Sequence, residues 1–363
     1  MPEDGAATPP GRPAGGARWG RDRKVVTMSH ETPATDRPLT TALAEAAGTA
    51  GHAPSVHNTQ PWHWTVRPDA LELRVVRERH LSVMDPEGRL LVVSCGAALH
   101  HARVALAAEG WTPVVERLPD PHQPDLMARL TGLRHTGADP DAMRLVQCMR
   151  VRHTDRRPVS DEPIPAAVLG DIDRAATREG VDLQILDDMQ KIELAGAAQQ
   201  AAAVEADSPE LREELAYWTN RAGTGTGLPP EVLPDQAAQT TVPGRDFGTP
   251  GSLPIGPGHD KAAVYAILWG AEDEPLSWLR AGEALSAAWL EATRHGVSLV
   301  PLSGVVEVDG TREVLRQTLA GLGHPYLSMR LGLADPEHAG PPHTPRLDAA
   351  QTVDTSAVRD QPS

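Results

Sequence analysis

The stretch CGAALHHARVALAAEG at residues 95–110 is matched by AGEALSAAWLEATRHG at residues 281–296, and this pairing decides how the whole chain is read. Both are Ala-rich, carry apolar residues at helical spacing and close on glycine, as a long buried helix does. Gly96 corresponds to Gly282 and Gly110 to Gly296 at one offset of 186 positions (282 minus 96, 296 minus 110). At that offset Leu99 falls on Leu285 and Val104 on Leu290. Val-rich strand patterns follow each, WTPVVERL and VSLVPL, and each half later holds a strand ending in Gly-Leu, ARLTGL and SMRLGL. Ala-rich helices look alike by composition alone. The reading that also accounts for the strands is one α+β unit present twice in tandem and folded as an internal pseudo-dimer, with helices around antiparallel-rich sheets.

Working outward, LTTALAEAAGTAG at 39–51 opens the ordered chain as a helix stopped by Gly51. HWTVRP and LELRVVR alternate as two strands across a PDA turn. PIPAAVLGDIDRAATREG is a helix with Pro163 and Pro165 at its start, followed by the strand DLQIL, and KAAVYAILWG is a buried strand. The first half is therefore set at 39–138 and the second at 139–350. The second half is interrupted by a Gly/Pro-rich insertion at 221–260, a length that marks either a functional lid or disorder. The Pro/Gly-rich residues 1–38 are expected to form a disordered tail, with Met28 an alternative start, and residues 351–363 to fray.

The 363 residues are 40% apolar and 23% charged, which fits a soluble globular protein. Aromatics make up 3%, so Leu, Val and Ala must build most of the core. A formal net charge of −15 opposes binding to nucleic-acid phosphates or anionic membranes. Any anion site has to be a local cluster of basic residues. Cys95 and Cys148 are too few for a thiolate metal site and are expected to stay reduced in a cytoplasm. The chain contains no run of 18 apolar residues, and its N-terminus lacks the apolar core of a signal peptide, so no membrane partner is expected.

Two segments concentrate polar chemistry. APSVHNTQPW at 53–62 packs Ser55, His57, Asn58 and Gln60 between prolines that keep it out of helix and sheet. RVRHTDRRPVSDEPIP at 150–165 holds Arg150, Arg152, Arg156 and Arg157 within eight positions. Guanidinium groups bind phosphate in bidentate fashion and the Thr154 hydroxyl adds a donor. The same residues could instead form a solvated turn paired with Asp155, Asp161 and Glu162. A zinc site from His52, His57 and His63 has the wrong spacing for one helical face. GTGTGLPP at 223–230 lacks the Lys-Ser/Thr and the helix of a phosphate loop.

Together the two segments resemble the signatures of the FMN-dependent nitroreductase family, an Arg-rich stretch of R-R-S-x-R type and A-P-S-x-x-N-x-Q-P-W. Here the order is inverted, with the Ala-Pro-Ser motif in the first half and the Arg motif in the second. Family members are homodimers whose flavin lies at the subunit interface, one motif contributed by each subunit. A fused duplication keeping one site would retain each motif once, and this arrangement, with the spelling SVHNTQPW, is similar to the Acg subfamily. The resemblance spans roughly residues 39–350. It implies that Arg152, His153 and Thr154 hold the FMN phosphate and that Arg156 lies near the ribityl chain or pyrimidine edge. A guanidinium there stabilises the negative charge of the reduced flavin. It places Pro54, Ser55 and Asn58 against the isoalloxazine ring and ribityl oxygens. Pro301, Leu302, Ser303 and Gly304, from VPLSG, become a strand-end loop whose backbone N–H groups reach the flavin. In HTPRLDAAQTV, Arg346 becomes a late phosphate contact, although Leu347 stands where relatives often carry a second Arg. Gln60 and Trp62 are expected to pack the loop.

The resemblance implies an oxidoreductase that takes electrons from NAD(P)H through FMN to a nitroaromatic, quinone or similar small acceptor. No side chain is required as nucleophile. The alternative is an FMN-sequestering protein whose lid blocks turnover, and a third reading is a folded interaction module that has lost flavin. The expected assembly is a monomer that mimics a homodimer, located in the cytoplasm.

Overall fold

The repeated pattern becomes two matching runs of elements in the computed structural model, which describes residues 38–219, 221, 223–256, 258–334 and 340–359. The tail expected at 1–38 lies outside the described residues except for Pro38. The first half runs α1 (Leu39–Ala50), β1 (Trp62–Val66), β2 (Leu71–Val75), α2 (Arg89–Ala108), β3 (Trp111–Arg117) and β4 (Leu126–His135). After α3 (Pro140–Val151) the second half runs α4 (Ala166–Arg178), β5 (Asp182–Ile185), α5 (Asp188–Asp207), α6 (Pro209–Thr219) and β6 (Val264–Gly270). It continues with α7 (Pro275–Arg294), β7 (Val297–Leu302), α8 (Gly304–Glu307), α9 (Asp309–Thr318) and β8 (His324–Leu333). The chain closes with α10 (Ala349–Thr352), β9 (Val353–Asp354) and α11 (Ser356–Arg359).

The sheets repeat as the helices do. One has the order β3-β4-β2-β1-β9 and the other β7-β8-β6-β5, and every pairing except β1 with β9 is antiparallel. At the offset of 186, both ends of α2 coincide with both ends of α7, and the first residue of β3 with the first of β7. The glycines of the opening pattern are required where these two helices cross. A Cβ on Gly96 would lie 2.0 Å from the Leu279 carbonyl oxygen, and one on Gly282 would lie 1.9 Å from that of Val93. Leu279 is the counterpart of Val93 at the same offset, so each contact is the other reversed, as at an isologous two-fold interface. His100 Nδ1 meets its own counterpart, Ser286 Oγ, at 2.8 Å. Gly96→Ala and Gly282→Ala should each destabilise the protein by about 1–3 kcal/mol through overpacking. Denaturant unfolding checks this, and a pair of neutral alanines would refute the backbone-close crossing.

Each half has its own core. Leu43, Trp62, Trp64, Leu71 and Leu99 fill the first; Tyr265, Ile267, Trp289, Leu299 and Leu331 fill the second. By length and composition α2 could cross a bilayer, a property hidden from a search for an unbroken apolar run, yet 89% of that stretch is buried inside the protein. Both cysteines are free and buried, and burial pushes the Cys95 thiol up to about 12.

Three regions left unassigned in the sequence are helical: α3, the pair α5–α6, and α9. In α5 only Leu194, Ala197 and Ala201 are buried, too few for a clear apolar stripe, although the Asp187–Gln190 capping box marks its start. The fraying expected from residue 351 does not hold through 359. Val353 and Asp354 pair in parallel with Trp64 and Thr65, satisfying backbone groups on the edge of β1.

Candidate functional site

The loop between α1 and β1 is held in an unfavourable conformation. His57, Asn58 and Gln60 have φ of 45°, 56° and 50°. Left-handed backbone costs roughly 1 kcal/mol or more at each such residue, so the surroundings must compensate. Ser55 Oγ accepts the Gln60 N–H at 2.9 Å, and Ser94 Oγ accepts that of Val56 at 3.2 Å. Asn58 Nδ2 donates to the carbonyls of Gly227 (3.0 Å) and Pro345 (2.9 Å). Gln60 Nε2 donates to the Gly225 carbonyl at 2.7 Å, and its Oε1 accepts the Leu347 N–H at 3.0 Å. Gln60 and the fully buried Trp62 thus pack the loop as expected. Asn58 differs from expectation, because its side chain is committed to the Gly-rich segment and to the C-terminal segment. GTGTG has its use here: Gly225 and Gly227, at φ 77° and 80°, bring backbone up to the loop.

The four clustered arginines reach four different fates. Arg150 is exposed on α3, and Arg157 chelates Asp155 at 2.9 and 2.7 Å in a largely buried pair, unlike the solvated turn that the sequence also allowed. Arg152 is buried. Its Nη2 donates to the His52 carbonyl at 3.2 Å, and its guanidinium lies 4.3 Å over the Trp289 ring. Arg346 donates to the same carbonyl at 3.4 Å and to Asn58 Oδ1 at 3.0 Å. Among the described residues no carboxylate forms an ion pair with Arg152 or Arg346. Burial, then Arg346, pulls Arg152 down to about 9; burial pulls Arg346 down to about 10. The Nε of each is buried without a partner, as is His101 Nε2. His52 is depressed by burial and then by Arg346, Arg150, Arg152 and His343. Buried guanidinium groups with spare donors and no counter-ion suit an anion such as a phosphate ester. His153 turns toward the C-terminal segment, 5.9 Å ring to ring from His343, and Thr154 is half-buried beside it.

The insertion described at 223–256 runs over this loop as a strap. Arg156 donates to the Val232 carbonyl at 3.1 Å and stacks 5.1 Å from the Phe247 ring, with burial lowering it to about 10. Phe247 in turn meets His57 edge-on at 6.2 Å. Arg245 is bound by Glu205 at 2.9 Å, by Glu307 at 3.1 Å and by His57 Nε2 at 2.9 Å. Burial opposes its charge, but Glu307 and Glu205 outweigh that and raise it. Pro301 and Leu302 are not loop residues. They belong to β7, opposite Met329 and Ser328, because the antiparallel ladder with β8 continues through them. Ser303 follows, and Gly304 faces the Arg245 guanidinium, whose Nη2 is 3.6 Å from where a Cβ would stand. The two motifs and the strand end thus converge through Arg152, Arg346 and Arg245. Trp289, His101, Arg245 and Phe247 were not found from sequence. The only available hint was that Phe247 is the one Phe in the chain.

The counterpart position in the other half is closed. At the offset of 186, Trp289 corresponds to Arg103 and Ser303 to Arg117. Both arginines are neutralised by Glu283, which is fully buried and accepts from Arg103 at 2.7 Å and from Arg117 at 2.6 and 3.0 Å. Glu179, just after α4, takes a further Arg103 donor at 2.6 Å. Among the described residues, both arginines there are taken and leave no spare positive charge for an anion.

No family model matches the chain. It is 38% identical over 311 residues to a Mycobacterium tuberculosis protein provisionally named NAD(P)H nitroreductase Rv3131, covering 84% of this chain and 89% of that one. A second protein of the same organism, provisionally named NAD(P)H nitroreductase acg, is 32% identical over 313 residues, covering 85% and 93%. Among solved structures, a nitroreductase with bound FMN from Bacteroides fragilis shares 16% identity at a TM-score of 0.34, over 54% of this chain and 90% of that chain. On the strength of the two relatives, alike along nearly their full lengths, the chain belongs to the nitroreductase family, with its Acg-like members.

Proposed function

We propose that this chain is a duplicated and fused nitroreductase that binds a single FMN between the 53–61 loop and the Arg152–Arg346 pair. As an oxidoreductase it would take electrons from NAD(P)H and pass them to a nitroaromatic, quinone or similar acceptor. The observation that carries the reading is the pair of the buried Arg152 and the half-buried Arg346, neither with a carboxylate among the described residues and each with its Nε buried and unpartnered. They would hold the phosphate, with His153 and Thr154 at its rim. Pro54 and Ser55 would shape the wall against the ring, and Asn58 would act through Arg346 by fixing its guanidinium. Arg156 would lie at the edge where reduction accumulates negative charge. Pro301, Leu302, Ser303 and Gly304 would form the opposite wall. When bound, FMN supplies the hydride acceptor and the electron donor. The protein supplies orientation and exclusion of water. Two free cysteines fit a reducing, cytoplasmic setting, and the reciprocal α2–α7 crossing fits a monomer that mimics a homodimer.

One observation favours the second reading, a protein that sequesters FMN. The strap already occupies Arg156 through Val232 and Phe247 and is locked by Arg245, so nicotinamide or acceptor reaches the site only if it moves. Reconstituted protein should carry one FMN per polypeptide by flavin absorbance against protein mass, because the counterpart position has Arg103 where Trp289 stands and its arginines are taken by Glu283 and Glu179. A ratio of two would overturn that closure. In anaerobic stopped flow, NADH or NADPH should bleach the bound flavin. If only dithionite does so, sequestration is the function.

A further inference from the structure

His57 lies in the loop of the proposed site, 8% exposed and left-handed in backbone. Its Nε2 stands 2.9 Å from Arg245 Nη1. A guanidinium offers only donors, so Nε2 is the acceptor, and the single proton of a neutral imidazole then sits on Nδ1. Protonating both nitrogens would set N–H against N–H and cation against cation. Arg245 is not free to retreat, because Glu205 and Glu307 grip it from α5 and α8. Phe247 closes one edge of the ring. Arg245 and Arg156 are the charged groups that act on the imidazole, and among the described residues no carboxylate pairs with it. Burial, then Arg245, then Arg156 hold it well below 6.5. Among the described residues, Nδ1–H has no protein acceptor.

We propose that the His57 Nδ1–H is a permanently neutral hydrogen-bond donor to the flavin, with its tautomer set by Arg245 of the strap. This rests on the FMN reading above. One imidazole then couples the two events. Strap closure presents the donor, and the ligand's acceptor satisfies it. Arg245 acts as a positioning residue, without touching the ligand. The pH consequence has a definite sign. Below about 6.5 the unfolded chain takes up a proton that the folded ring refuses, so this group lowers stability progressively as pH falls.

The test is long-range 1H–15N spectroscopy of 15N-histidine-labelled protein, with His57 assigned by His57→Gln. Ligand-free protein should show His57 neutral and Nδ1-protonated from about pH 8 to 5, a window set by the ordinary histidine range. Arg245→Gln should release the ring to titrate or change tautomer, and Arg245→Met, which also removes the donors and the charge, serves if the first variant does not fold. Added FMN should shift the Nδ1–H resonance, and His57→Phe should weaken FMN binding up to about tenfold. A wild-type ring that is Nε2-protonated, or that titrates near 6.5, overturns the proposal. FMN bound with the His57 signals unmoved overturns the donor role and leaves the flavin reading standing. Failure to bind FMN at all overturns both.

Discussion

Arg152→Met is expected to weaken FMN binding about a hundredfold or more and, in the same protein, to raise the melting temperature of the ligand-free state. The two signs follow from one fact. The Arg152 guanidinium is buried with a carbonyl and an aromatic face for company and, among the described residues, no carboxylate. A charge-assisted hydrogen bond to phosphate is worth about 1.5–3 kcal/mol, and about 1.4 kcal/mol is tenfold in affinity. Losing the donor together with its Coulomb attraction therefore removes about two orders of magnitude. Without ligand the charge is a burden. With Arg152 pulled down to about 9 from the ordinary arginine range, the fold disfavours the protonated form. That penalty is full below about pH 9 and fades as pH rises above it, because the folded state then gives up a proton that the unfolded chain keeps. Methionine keeps packing on Trp289 and removes the charge, and it also forfeits a cation–π contact of about 1 kcal/mol. The net gain should be about 1–2 kcal/mol, readable by differential scanning fluorimetry. Arg152→Lys should bind FMN at an intermediate level, since it keeps charge without the fork. A purely structural arginine would give the opposite pattern, a lower melting temperature with FMN affinity intact.

The second large effect lies away from the proposed site. Glu283→Gln should destabilise the protein by about 3–5 kcal/mol, because it leaves partly buried guanidinium groups uncompensated. Arg103 keeps Glu179, whereas the Arg117 guanidinium bonds only to Glu283 among the described residues. The double variant Glu283→Gln/Arg117→Met should recover part of the loss, and the coupling energy from that cycle isolates the pair. Additive losses in the cycle would show that the network does not act as a unit. FMN stoichiometry should stay at one in Glu283→Gln, since the counterpart position lacks a Trp289-like platform and a loop like 53–61. A second flavin bound in that variant would mean that Glu283 alone had closed the site.

Much of this was legible in the chain because local physics dictates it. Gly96 and Gly282, matched at one offset, and the strand patterns that follow advertise the repeat. Pro54 and Pro61 exclude regular structure, and the polar residues between them demand partners. Harder to see were α5 and α9, short of buried apolar positions, and the strand at 353–354, which forms only because β1 presents an open edge.

By itself the sequence determined that two like units exist, that one proline-framed loop and one arginine cluster stand in different halves, and that the insertion is rich in glycine and proline. Tertiary structure alone decided the fate of each arginine: it left Arg150 exposed, paired Arg157 with Asp155, and put Arg152 and Arg346 against the loop with no carboxylate among the described residues. It also committed Asn58 to the protein, recruited Arg245 to His57, and shut the second position with Glu283. The physical reason is distance along the chain. Arg346 meets His52 across 294 positions, Arg245 meets His57 across 188 and Asn58 meets Gly227 across 169. The charge state and donor supply of a buried group depend on such neighbours, and no local pattern encodes them.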